Sequence, residues 1–195
     1  MVLYDFTFYF REVGCKPIDD LEIRERMKKH TAKELILHLD LLSHPEGGYF
    51  RETYRSELIL PSDGLPSEFS GSRNAATAIY FLVEKNNFSA LHKIKSDETW
   101  HFYAGDPLEV IEINETGELK KTNIGSGLER GELFQYTVKA NTWFGSRVLS
   151  GGEFSLVGCT VAPGFDFRDF EMAKRKQLIL QFPKWENIIS QMTRE

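Results

Sequence analysis

The stretch FSALHKIKSDETWHFYAGDP, Phe88 to Pro107, sets two histidines, an Asp-Glu pair and a tryptophan in two strand-like runs that close on a glycine turn. His92 and Glu98 stand on either side of a short polar bend, Lys95-Ser96-Asp97, and Gly105 ends the second run. Successive side chains of a strand point to opposite faces. With Glu98 turned inward, Trp100 and Phe102 turn inward too, whereas Thr99, His101 and Tyr103 take the other face. The alternation separates the two histidines: His92 is the pocket candidate, and His101 is a packed or interface residue. An inward Trp100 offers an apolar wall on which a ring stacks. This is the outline of a pocket inside a small β-barrel.

The flanking sequence agrees. Downstream, LEVIEI, the turn at Asn114 to Glu118, LKKTNI, the turn SGLERGE, LFQYTVKANTWFGSRVL and EFSLVGCTVAP alternate short strands with turns. Such spacing means an antiparallel barrel or sandwich, and a doubly wound parallel sheet would need helical patterns between the strands. After Pro163-Gly164 the tail is charged from Arg168 to Lys176. Leu178, Ile179 and Leu180, then Trp185, Ile188, Ile189 and Met192, predict helices packed outside the barrel.

Upstream, Arg73 to Val83 reads as a strand, Glu84 to Asn87 as a turn, and Pro61 to Ser72 as a surface loop. In SHPEGGYFRETYRS, Pro45 and Gly47-Gly48 turn the chain. Tyr49, Arg51, Thr53 and Arg55 then share one strand face, and Phe50, Glu52 and Tyr54 the other. Thr31 and Glu34 are spaced as a capping box, which predicts a helix over 31–42. Val2 to Phe10 alternates as an aromatic strand that must be covered by the domain's own sheet or by a second copy, and Asp19 to His30 reads as a charged helical linker. The organisation expected is an N-terminal extension over 1–30, a barrel domain over 31–182 and a helical tail over 183–195.

The chain has 195 residues and a formal charge of -5, from 29 acidic against 24 basic residues, with no long basic block, so nucleic acid is not an expected partner. Cys15 and Cys159 lie far apart with no CxxC pattern, which predicts no disulfide framework and a reducing, cytoplasmic setting. The apolar N-terminus carries Asp5 and is too short to span a bilayer, so no membrane segment is expected.

Three stretches together, HPEGGYFRETYRS (44–56), LHKIKSDETWHFYAGDPLEV (91–110) and VAPGFDFRDFEMA (161–173), resemble the fifth cupin domain family, a domain of unknown function within the cupin superfamily. His92, Glu98 and Gly105 occupy the frame of the superfamily's first motif, G(X)5HXH(X)3,4E(X)6G, with Ile94 in place of the second histidine. The second motif, PXG(X)2H, falls on Lys139 to Phe144, with Phe144 in place of the final histidine. The resemblance covers about 31–182, by motif extent. It implies a mainly β fold, an antiparallel double-stranded β-helix or jelly roll with a few flanking helices. It also implies a frequent homodimer and a pocket similar to that of nucleotide-sugar epimerases in the superfamily.

The chemistry follows from what the motifs keep and lose. A catalytic metal needs about three protein ligands with an open position. Ile94 and Phe144 remove two of the superfamily's four ligands, and the last histidine of the chain is His101. His92 and Glu98 remain, with Glu52 or His44 as recruits, so no metal cofactor is expected and a divalent metal is the minor alternative.

Acid-base chemistry without a metal needs a base, a partner that orients it and a donor for the developing charge. His92 is the candidate base, Glu98 or Asp97 the orienting acid, and Tyr49 or Tyr54 the donor. Arg51, Arg55 and Arg73 are candidates for holding a carboxylate or phosphate. Glu52, Trp100 and Phe144 complete the expected binding set, and Gly47-Gly48 lacks the pattern of a phosphate loop. The competing reading of His92 is a hydrogen-bonded structural histidine. The expectation is a cytoplasmic, dimeric, small-molecule-binding barrel whose ligand is carbohydrate-like or anionic, acting as a metal-independent sugar or nucleotide-sugar isomerase or epimerase. The alternatives are a non-catalytic ligand sensor and a metal-dependent oxygenase or isomerase.

Overall fold

The computed structural model describes residues 30–194; the aromatic stretch Val2 to Phe10 and, but for His30, the charged stretch Asp19 to His30 lie outside the described residues. Helix α1 (Ala32–His38) opens on the expected capping box: Thr31 Oγ1 accepts from the Glu34 N–H at 3.2 Å, and Glu34 Oε2 accepts from the Thr31 N–H at 2.8 Å. The helix is shorter than its leucine periodicity predicts. Asp40 takes a left-handed φ of 51° and the Leu41 N–H turns to the Ile36 carbonyl, which ends the ladder after two turns.

Thirteen strands follow among the described residues: β1 (Leu42–Ser43), β2 (Tyr49–Arg55), β3 (Ile59–Leu60), β4 (Arg73–Asn74), β5 (Thr77–Glu84), β6 (Phe88–Lys93), β7 (Asp97–Gly105), β8 (Leu108–Ile113), β9 (Leu119–Ile124), β10 (Gln135–Val138), β11 (Trp143–Val148), β12 (Phe154–Ala162) and β13 (Glu171–Met172). Two helices end the chain, α2 (Arg175–Gln181) and α3 (Glu186–Gln191).

The strands form a six-stranded sheet, β1-β2-β5-β12-β7-β10, a five-stranded sheet, β13-β6-β11-β8-β9, and a β3-β4 ribbon. The named strand pairs are antiparallel. The fold is therefore the expected mainly β jelly roll with flanking helices, with the two large sheets facing each other rather than hydrogen-bonded into one closed barrel.

Period-two alternation sorts the apolar residues into three layers. Phe81, Trp100, Val157 and Val161 of the six-stranded sheet meet Leu108, Val110, Ile124 and Phe144 of the five-stranded one, and this is the interior core. Leu91, Ile111, Ile113 and Trp143 point the other way and are covered by Leu178, Ile189 and Met192 from the C-terminal helices. Leu82 and Leu156 back onto Leu35 and Leu41 around α1. The residues from Thr31 onward form one compact unit.

Two breaks in the regular pattern matter for the site. The predicted strand after Ser72 divides at Ala75-Ala76, and LFQYTVKANTWFGSRVL divides at 139–142, where Asn141 adopts φ 62° and its N–H reaches the Ile94 carbonyl at 2.8 Å. In β2 the register against β5 slips between Glu52, which pairs with Ile79, and Tyr54, which pairs with Ala78. Thr53 is the extra residue of a β-bulge. Such an insertion exchanges the two faces for everything after it.

Candidate active site

A cavity of about 340 Å³ opens at one end of the interior. Its floor begins in HPEGG. The Gly47 N–H donates to the His44 carbonyl and the His44 N–H to the Gly48 carbonyl, both at 3.0 Å, which closes a tight turn. The glycines sit at φ 109° and 73°, conformations that side-chain-bearing residues rarely adopt. The turn aims Glu46 inward, and the Glu46 carbonyl is fastened to β6 by the Ala90 N–H at 2.9 Å. His92 enters from the same strand, opposite Phe144. Glu98 enters from the second residue of β7, between Val138 and Val161.

The Glu46 carboxyl lies between two imidazoles: its Oε2 is 3.3 Å from His92 Nε2 and 3.4 Å from His44 Nδ1, while Oε1 accepts from the Ser89 hydroxyl at 2.8 Å. The hydrogen-bond partners fix the tautomers. His92 Nδ1 is 2.8 Å from the Ala90 carbonyl, which only accepts, so Nδ1 carries the proton and a neutral His92 presents a lone pair at Nε2. His44 Nδ1 receives the Glu46 backbone N–H at 3.4 Å and is likewise an acceptor.

Burial pushes the Glu46 carboxyl up to about 7, against the opposing pull of His44, the Ser89 hydroxyl and Arg194. It pushes Glu98 up to about 7 as well, with His92 pulling down and the Glu46 charge pushing further up. Both imidazoles are lowered, chiefly by burial, and so are held neutral. The Cys159 thiol, raised by burial, hydrogen-bonds to Glu98. A protonated carboxyl wedged between two imidazole lone pairs is a proton store near neutral pH.

Above this floor the walls are apolar: Phe50, Ile79, Phe81, Val161, Phe165 and Phe167. The His44 ring lies edge-on to Phe50 at 4.6 Å and nearly parallel to Phe167 at 6.3 Å. At the mouth, Arg55 grips Glu52 through two bonds, 2.9 Å from Nε and 2.6 Å from Nη2, and its Nη1 donates to Asn74 Oδ1 and to the Phe165 carbonyl. Asp166 is held well below the usual carboxylate range by bidentate Arg168.

Of the residues expected from sequence, the structure brings His92, Glu98 and Glu52 to this cavity, together with His44 and Arg55. The others lie elsewhere. Tyr49 packs on the outer face of the six-stranded sheet, beside Leu35 and Leu41. Arg51 shares that face, 3.3 Å from Asp40 and over the Tyr80 ring. Tyr54 is 54% exposed because the Thr53 bulge exchanged its face with that of Arg55. Arg73 is 3% exposed and locked in a bidentate pair with Asp169, at 2.6 and 2.7 Å.

Trp100 and Phe144 do face inward, but into packed core beneath the cavity, each 1% exposed. Phe144 lies 4.1 Å from the His92 ring and backs it rather than touching the cavity. The indole N–H of Trp100 has no hydrogen-bond partner among the described residues. Asp97 points away and bonds to Lys139 and the Ala140 N–H. Sequence reasoning missed Glu46, Cys159 and the Phe165 and Phe167 walls. The available signal for Glu46 was its place in a double-glycine turn two residues after a histidine.

Residues 33–173 match the sequence model of the Cupin superfamily (DUF985). The chain belongs to this cupin family. The cupin is 29% identical over 153 residues to the uncharacterized protein YML079W of Saccharomyces cerevisiae, a match that spans 74% of this chain and 76% of the yeast protein. Among solved structures, a hypothetical protein from Leishmania major is 40% identical with a TM-score of 0.78, over 85% of this cupin and 100% of that chain. Protein SO0799 from Shewanella oneidensis is 36% identical with a TM-score of 0.76, over 85% of this cupin and 98% of that chain. No described helix is long and apolar enough to cross a membrane.

The superfamily motif implies a metal held where His92 and Glu98 stand. The donor set of this cupin does not fit one. Ile94 and Phe144 are both in the apolar core, and among the described residues no group of three or more His, Cys, Asp or Glu is arranged to hold a metal ion.

Proposed function

We propose that this cupin binds a small, uncharged, polyhydroxy carbonyl compound and moves a proton at the carbon beside the carbonyl, as a metal-independent sugar isomerase or epimerase. The observation that carries the reading is the Glu46 carboxyl held between two imidazole lone pairs at the closed end of an aromatic-walled cavity. His92 Nε2 is the base. It takes the carbon-bound proton while protonated Glu46 gives its proton to the carbonyl oxygen, leaving an enediol. Glu98 stabilises the imidazolium; His92 then returns the proton to the same or the neighbouring carbon while an enediol hydroxyl gives its proton back to Glu46, which regenerates a carbonyl and both starting groups.

Charge narrows the substrate. Among the described residues, four carboxylate residues line the cavity, Glu46, Glu52, Glu98 and Asp166, against the single guanidinium of Arg55, which is already committed to Glu52, Asn74 and a carbonyl. A diphosphate would find no uncommitted cation there, whereas hydroxyl donors find acceptors on the floor and C–H faces find phenyl rings on the walls.

The test is proton exchange. Purified protein is incubated in deuterium oxide with a panel of aldoses, ketoses and nucleotide-sugars, and label at carbon is followed by NMR. Exchange with an undecorated sugar is expected, falling by about 10²- to 10⁴-fold in His92→Ala, the usual contribution of a general base. Saturable binding with no exchange would reduce the protein to a binding module, and stoichiometric iron, manganese, nickel or zinc by elemental analysis would overturn the metal-free mechanism.

A further inference from the structure

Glu46 belongs to a turn, so sheet register alone does not hold its carboxyl against His92. Arg194 supplies the missing restraint. Its Nε donates to the Glu46 carbonyl at 3.2 Å, and its Nη2 donates to Asn87 Oδ1 at 2.8 Å and to the Phe88 carbonyl at 2.9 Å. The guanidinium thus ties the HPEGG turn to the start of β6, the strand that carries His92, and lies 4.5 Å over the Phe88 ring. Gly47 makes the approach feasible, because a Cβ there would overlap both the guanidinium and the Phe88 carbonyl.

The segment that presents Arg194 is itself anchored. The Met192 carbonyl accepts from the Leu91 N–H at 2.7 Å. Buried Thr193 donates its hydroxyl to the Ile189 carbonyl at 2.7 Å and receives Arg175 Nε at 2.9 Å.

These bonds meet a closed ring. The Glu46 carbonyl accepts from the Ala90 N–H, the Ala90 carbonyl accepts from His92 Nδ1, and His92 Nε2 returns to the Glu46 carboxyl. Arg194 enters this ring at the Glu46 carbonyl, which thereby receives two donors. We propose that Arg194 is a positioning residue that sets the separation between the Glu46 carboxyl and His92 Nε2, making the segment from Met192 to Arg194 a structural part of the site.

The inference rests on the reading that the Glu46–His92 contact carries the proton, and its test is chosen to be independent of turnover. Histidine-labelled protein is compared by ¹⁵N imidazole NMR in the unsubstituted, Arg194→Ala and Arg194→Lys forms, alongside thermal unfolding and the exchange assay. In Arg194→Ala, the His92 Nε2 resonance is expected to move toward that of an imidazole without a carboxyl partner. Exchange should slow by about a hundredfold, the scale of an ångström's misplacement of a reacting group, with KM changed far less than kcat. Arg194→Lys, or millimolar guanidinium added to Arg194→Ala, should restore part of both signals. A His92 resonance unchanged in Arg194→Ala overturns the proposal whatever the exchange assay returns. A resonance that moves, in a protein that shows no exchange in any form, upholds the positioning role and strikes only at the proton-transfer reading.

Discussion

One row across the five-stranded sheet, His92, Phe144, Glu112 and Lys120, has a buried acid near each side of its phenylalanine: Glu112 within the row, and Glu46, from the HPEGG turn, against His92. On one side Glu46 reaches over to His92. On the other, Glu112 accepts from the Tyr136 hydroxyl at 2.5 Å, and Lys120 Nζ donates to that hydroxyl at 2.6 Å while lying 4.5 Å over the tyrosine ring. Burial raises both carboxyls above their ordinary range. The difference is in what surrounds them. Glu112 is pulled back down by the Tyr136 hydroxyl and the charge of Lys120, and it lies outside the lining of the cavity. Glu46 has two neutral imidazoles for neighbours and opens onto that cavity. A raised carboxyl pKa is therefore not by itself a sign of chemistry. It becomes one where the proton has acceptors able to take it and a space in which a substrate can meet it.

The largest effect that would test this contrast is on pH-dependent stability. Glu98 has a folded-state pKa of about 7, above that of an unfolded glutamate, so the stability linked to its proton is present at low pH and lost as pH rises through 7. Glu98→Gln should gain on the unsubstituted protein between pH 5 and pH 8, by up to roughly 3 kcal/mol, taking ~1.4 kcal/mol for each tenfold difference in proton affinity between the folded and unfolded chains. Urea unfolding at the two pH values measures it. A difference that does not vary with pH would mean that Glu98 holds its proton no more tightly in the folded chain than in the unfolded one.

Tyr136→Phe comes next. Stranding the Glu112 carboxyl should cost about 1–3 kcal/mol, the usual penalty for a buried group left unpaired, and leave sugar exchange untouched. A fall in exchange would show that Phe144 does not insulate one side of the row from the other. Smallest is Lys120→Met, where loss of an exposed cation should change stability by no more than about 1 kcal/mol. It should also raise the Glu112 pKa further in a ¹³C carboxyl titration. A variant that acquires exchange activity in this way would erase the distinction drawn between the two acids.

The fold was legible in the sequence because its signals are local. The Thr31–Glu34 box, the period-two strands and the turn glycines each act within a few residues. The pocket was legible only in part. Strand parity placed Glu98, Trp100 and Phe102 on one face and His101 on the other, where His101 is held by Thr160 and Gln135. Parity says which way a side chain points and not whether it meets packed core or open space, so Trp100 and Phe144 were assigned to the ligand when they fill the interior.

Arg73 looked like a free anion receptor because its counter-ion, Asp169, lies 96 residues away in sequence. Tyr54 and Arg55 were exchanged because a bulge leaves no mark in composition. Glu46 sits in a turn with no periodicity to orient it, and the bond that turns it inward comes from Ala90, on another strand.

The Thr53 bulge divides β2 into two parts that answer to different pressures. Before it, Phe50 pairs with Phe81 and shares in packing the interior; after it, Arg55 meets Thr77 at the mouth, where its side chain and that of Glu52 are only partly covered. A change at position 55 thus alters what the entrance admits without disturbing the packing beneath. Deleting Thr53 would remove the bulge yet leave Tyr54 opposite Ala78 and Arg55 opposite Thr77, so the guanidinium keeps its place at the threshold and the entrance tolerates a shorter strand.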